Sequence, residues 1–144
     1  MIKKAFATPL DIINTKGGNV MHAIKTSSYG YAGFGEAYFS QIKYGSIKGW
    51  KRHNKMTLNL VVPIGKIKFV LFDDREVSNP RFQEFILSIE NYQRLTIPPK
   101  IWLAFQGLSE NVSMLMNIAD IPHNAVESEV LNINEINYDW CDLK

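Results

Sequence analysis

Between Gly45 and Gly65 the chain reads GSIKGWKRHNKMTLNLVVPIG, a stretch dense in side chains that could hold an anion or move a proton. Lys48, Lys51, Arg52 and Lys55 supply fixed positive charge, and His53 adds an imidazole, a side chain suited to taking a proton. Along a strand, side chains two apart point the same way. Simple alternation therefore puts Lys51 and His53 on one face with Ile47 and Gly49, and puts Lys48, Trp50 and Arg52 on the other. If the Lys51 and His53 face lines the interior of a barrel, it makes a polar pocket suited to an anionic or hydroxyl-rich ligand. If the strand lies at a sheet edge, the same cations are a solvated border that blunts pairing. Spacing alone leaves both readings open, and the apolar residues on either side favour a central strand.

Other chemistries find less support. The three histidines, His22, His53 and His123, are far apart in sequence. A metal-binding β-barrel wants a His-x-His pair, and here its first place is taken by Lys51, a cation that cannot help a divalent ion bind. Cys141 has no histidine close by in sequence, and no Gly-x-Ser-x-Gly elbow or phosphate loop ending in Gly-Lys-Ser/Thr is present. No metal and no cofactor is expected. Aromatic side chains crowd the span from Tyr29 to Trp50, mostly as core or subunit-interface packing, with Tyr44 and Trp50 placed to stack on a ligand ring.

The elements that must position these residues are strands. Short apolar runs at 37–43, 47–52, 57–62, 66–72, 82–88, 93–97, 101–105 and 112–118 are divided by turn-forming residues such as Tyr44-Gly45-Ser46, Pro63-Ile64-Gly65 and Pro98-Pro99-Lys100. Without a long helical periodicity, this spacing predicts an all-β sandwich or barrel. Residues 1–24 read as a β-hairpin entrance around Lys16-Gly17-Gly18-Asn19, and 26–36 as a surface loop or a ligand-contacting flap. The tail from Asp120 is polar, with room for a short helix or strand. A chain of 144 residues without an internal repeat or linker fits one domain, 1–144.

A formal charge of +2 is too mild to imply a nucleic-acid partner, though it permits an anionic one. One cysteine excludes an intrachain disulfide framework and fits a reducing compartment. No apolar run reaches membrane-spanning length, and Asp11 breaks the N-terminal run too early for a signal peptide, so a cytoplasmic protein without membrane contact is expected.

The order of several pieces resembles a known family. These are GSIKGWK at 45–51, Gly65 through Phe72-Asp73-Asp74-Arg75, Ser78, FILSIEN at 85–91, Leu95-Thr96-Ile97-Pro98 and FQGLS at 105–109. Together, over about Lys16 to Trp140, they resemble the dTDP-4-dehydrorhamnose 3,5-epimerases, RmlC-like cupins that act on nucleotide-linked 4-keto sugars. The stretch Gly49-Trp50-Lys51-Arg52-His53 is also similar to the Gly-Trp-His-x-His of the sugar 3,4-ketoisomerases. The resemblance implies a double-stranded β-helix, the cupin jelly-roll barrel. It further implies a homodimer contacted through the N-terminal arm, a nucleotide-linked sugar as ligand, and epimerase or isomerase activity in surface polysaccharide biosynthesis.

The family's phosphate-binding Arg and catalytic His fall at Lys48 and Lys51, its second His at Leu103, and its catalytic Tyr near Met116. The resemblance therefore points to His53 as the base, with Lys51 beside the developing enolate oxygen. Lys48, Trp50, Arg75 and Tyr44 are the expected substrate contacts. The alternative is a nucleotide-sugar or carbohydrate-binding cupin that has lost its acid/base pair.

Overall fold

The computed structural model describes residues 2–140, so Cys141 lies outside the described residues. The chain opens with β1 (Phe6–Pro9) and a small hairpin, β2 (Ile12–Ile13) and β3 (Val20–Met21), closed by the Lys16–Asn19 turn. The longer strands follow: β4 (Glu36–Ile42), β5 (Ile47–His53), β6 (Leu58–Ile64), β7 (Lys66–Asp73), β8 (Arg81–Ser88), β9 (Gln93–Ile97), β10 (Trp102–Gly107) and β11 (Ser113–Ala119). The tail adds a 3-10 turn (Ala125–Glu127), the short β12 (Ser128–Val130) and a second 3-10 turn (Ile133–Glu135).

Two five-stranded antiparallel sheets result, in the orders β1-β9-β6-β11-β4 and β12-β5-β10-β7-β8. This is the jelly-roll barrel of an all-β protein, with consecutive strands distributed across both sheets. The strand β5 that carries the cationic stretch is an inner strand, flanked by β10 and β12. It is not a solvated edge. The N-terminal apolar run is split at Pro9-Leu10, and its first half pairs with β9 of the same chain, Phe6 opposite Thr96.

Alternation along the strands builds the core. Leu58, Leu60 and Val62 of β6, Ile67, Phe69 and Leu71 of β7, and Leu95 and Ile97 of β9 point into the barrel and are buried. Burying each such side chain is worth roughly 1.5–3 kcal/mol. The β6–β7 turn needs Gly65, which has φ +85°, and a Cβ there would stand 2.2 Å from Ser113 Oγ.

A second apolar cluster lies outside the barrel. Trp50, Val70, Trp102 and Ala104 on the back of the second sheet are covered by Ile136, with Leu131, Ile133, Tyr138 and Trp140 packed around them. The tail is thus a strap across the back of β5. Trp50 exchanges two main-chain hydrogen bonds with Leu131 and donates its Nε1–H to the carbonyl of Ile133 at 3.2 Å.

Candidate active site

Position 49 decides which side chains of β5 reach the barrel interior. Leu103 of β10 stands opposite Lys51, but Ala104 stands opposite Gly49, leaving Trp50 as an extra residue in a β-bulge. Gly49 has φ +144°, and a Cβ on it would meet Ala104 Cβ at 2.4 Å, so only glycine fits. The bulge resets the alternation. Lys48, opposite the inward-facing Phe105, joins Lys51 and His53 on the inner face, whereas simple period-2 reading puts Lys48 on the outer face with Trp50 and Arg52.

The three residues line a cavity of about 290 Å³. Leu58, Leu103 and Phe105 give it apolar walls, and Tyr38, Ser40 and Asn117 face it from β4 and β11. Asn117 is opposite Tyr38 in the ladder and donates to Ser40 Oγ at 3.1 Å, which fixes the polar wall. Burial, with help from the Glu36 carboxylate, pushes the Tyr38 phenol above its ordinary pKa. Lys48 Nζ donates to the carbonyl of Gln41 at 2.7 Å. Lys51 forms no hydrogen bond or ion pair among the described residues, and no carboxylate lines the cavity.

His53 is buried, and its Nδ1 is in hydrogen-bond contact with Oε1 of Glu127. Glu127 is buried too, in the 3-10 turn before β12, where Ser128 pairs with His53 itself. Its other oxygen accepts from the backbone N–H groups of Lys55 (3.1 Å) and Met56 (3.3 Å). Burial by itself would raise the Glu127 carboxyl, but the hydrogen bonds from His53, Lys55 and Met56 outweigh it and hold the group below its ordinary pKa. An ionised carboxylate only accepts, so the proton of neutral His53 sits on Nδ1 and the lone pair on Nε2. That is the tautomer of a general base, held by a carboxylate and set in the wall of a pocket.

Glu127 and Tyr38 are the titratable side chains of the site that sequence reasoning missed, along with Ser40 and Asn117 of the polar wall. Tyr38 carried a usable signal, since Tyr38 and Ser40 alternate on one strand face; Glu127 carried none, being 74 positions from His53.

Other expected contacts lie elsewhere. Trp50 corrects the expectation of a stacking ring: it is fully buried on the back of the sheet, against Trp140 at 5.9 Å between centroids. Arg75 is also away from the cavity, clamped on Asp73 through Nε (2.8 Å) and Nη2 (2.7 Å) and on the carbonyl of Lys3. That clamp holds the Asp73 carboxyl below its ordinary value. Tyr44, half-exposed, sits at a bridge to Gly107 at the barrel end and does not line the cavity. The loop over 26–36 covers the outer face of the first sheet, through Asn59 Nδ2 on the carbonyl of Gly30 (3.0 Å) and Arg94 on that of Tyr29. Among the described residues no cluster of His, Cys, Asp and Glu could hold a metal ion. Among the described residues no helix is long and apolar enough to cross a membrane.

No family model and no curated protein matches the sequence. Solved structures do. The chain is similar to a dTDP sugar isomerase from Desulfovibrio desulfuricans G20, with 34% identity and a TM-score of 0.92 over 98% of this chain and 93% of that one. It shares its fold with the dTDP-4-dehydrorhamnose 3,5-epimerase of Elizabethkingia anophelis NUHP1, at 18% identity and TM-score 0.76, covering 96% of this chain and 82% of that one. A sugar 3,4-ketoisomerase from Thermoanaerobacterium thermosaccharolyticum, solved with TDP, matches at 15% identity and TM-score 0.73, over 90% of this chain and 89% of that one.

Proposed function

The chain belongs to the RmlC-like cupin family, and on that premise we propose that it is an epimerase or isomerase of 4-keto deoxysugar nucleotides. One observation carries the reading: a histidine oriented by a buried carboxylate faces a cavity that two lysines make electropositive. His53 Nε2 takes the proton from the carbon next to the ketone. The electron pair of that C–H bond moves into the new C=C bond, and the carbonyl electrons move onto oxygen. Lys51, whose ammonium has no partner among the described residues, stabilises the enolate oxygen so formed. Lys48 contacts the diphosphate as a point charge. The proton then returns to carbon, from His53 on the face it left or from another acid on the opposite face. Tyr38 is the one phenol in the cavity wall and is the acid we assign to that second course.

The same reading makes the protein a single-domain cytoplasmic homodimer in surface polysaccharide biosynthesis, with no cofactor. A second reading, a cupin that binds a nucleotide sugar without turning it over, is favoured by Lys51 and Leu103 standing where the family carries histidines.

Incubation with a dTDP-4-keto-6-deoxysugar in deuterated water separates the two. Deuterium entering at C3 or C5, and lost in His53→Asn while dTDP binding persists, supports catalysis by His53. Binding without any exchange in the wild type leaves only the second reading.

A further inference from the structure

Arg94 lies on β9 with its side chain on the outer face of the first sheet, away from the barrel cavity, and is 2% exposed. Its Nε donates to Asn59 Oδ1 at 3.1 Å, Nη1 to the carbonyl of Ala23 at 3.0 Å and Nη2 to that of Tyr29 at 2.9 Å. All three acceptors are neutral. Among the described residues no carboxylate stands within ion-pair distance of it. A guanidinium has five N–H donors, so one on each terminal nitrogen remains to be matched. Burying an unneutralised cation is expensive, and the burial pushes Arg94 below its ordinary pKa.

A cavity of about 190 Å³ opens beside this side chain, walled by Arg94, His22, Lys25, Ser28 and Tyr29. Asp11 stands at its exposed rim without pairing with the arginine. We propose that this outer cavity binds a small oxyanion, a phosphate or carboxylate group, on the free N–H donors of Arg94 with Lys25 at the entrance. The forked donors of arginine match two oxygens of such a group, and the volume admits a group of that size. The oxyanion has two possible sources, a free ion or a side-chain carboxylate of a second copy of this chain.

The test is thermal unfolding of the full chain with inorganic phosphate against sodium chloride at matched ionic strength. A free-ion site gives a saturating rise in Tm of about 3–6 °C. Lys25→Glu, a change at an exposed position, abolishes that rise. Arg94→Lys, which keeps the charge and loses the fork, reduces it, and Lys48→Ala in the barrel leaves it in place. If phosphate does nothing but Tm climbs with protein concentration in the wild type and not in Lys25→Glu, the oxyanion comes from a second copy. The inference is overturned if neither dependence appears, if Lys25→Glu responds to phosphate as the wild type does, or if the response disappears with Lys48→Ala instead.

Discussion

A histidine works as a base only in the tautomer that leaves its lone pair toward the substrate, and at His53 that choice rests on Glu127. In Glu127→Gln the amide can present its NH₂ to Nδ1 and reverse the tautomer. The expected result is a fall of about 10²- to 10⁴-fold in solvent exchange into a 4-keto sugar nucleotide, with dTDP affinity retained; proton NMR in deuterated water measures it. Glu127 also predicts a pH dependence of stability. Its folded pKa lies below the unfolded value, so its contribution is complete above the ordinary carboxylate range and is lost as pH falls through the folded value. The Tm gap between wild type and Glu127→Gln should therefore be widest near neutrality and close below about pH 4. A Tm gap unchanged between pH 7 and pH 3 would contradict this assignment. The two cations among the expected substrate contacts, Lys48 and Arg75, should part company as well. Lys48→Ala is expected to weaken dTDP binding about tenfold, roughly 1.4 kcal/mol, by calorimetry. Arg75→Ala should leave affinity unchanged, because its guanidinium is committed to Asp73.

At the scale of the element, the bulge in β5 determines what the cavity contains. Without it Lys48 would follow Trp50 to the outer face, and the interior would keep a single lysine beside His53. Gly49→Ala forces a Cβ into Ala104 at a backbone conformation that side chains avoid, which should cost about 2–4 kcal/mol in urea unfolding. Survivors of that substitution should also bind dTDP more weakly, because removing the bulge relieves the clash and turns Lys48 outward. A variant that unfolds at the wild-type urea concentration would show that the strand can relax around position 49 without strain.

For the whole molecule, the strap formed by residues 131–140 packs against the strand that carries the candidate site. Ile136, Ile133 and Leu131 cover Trp50, Val70 and Trp102, and Tyr138 reaches Glu84 of β8. Ending the chain after Val130 keeps Glu127 and β12 but uncovers this cluster. The expected loss is at least about 3 kcal/mol of unfolding free energy, comparable to deleting a large core side chain. Exchange activity should fall less than in Glu127→Gln when both are assayed well below their melting temperatures.

Much of this architecture was legible in the residues. The spacing of β4 through β11 follows from apolar runs cut by Gly and Pro, because a half-buried strand must alternate and a turn must take residues that tolerate it. The pairing of Lys51 with His53 followed from the same period of two. What local periodicity could not carry was any contact made across the barrel or any slip in register. The bulge at Gly49 is visible only against Ala104, the burial of Trp50 only against a tail more than eighty residues later, and the partner of His53 only once β12 has closed against β5. Sequence by itself determined the strands and the barrel class, and it singled out His53 as a candidate. Tertiary structure decided which lysines face inward and which carboxylate holds His53, because both depend on strands that meet in space and not in order.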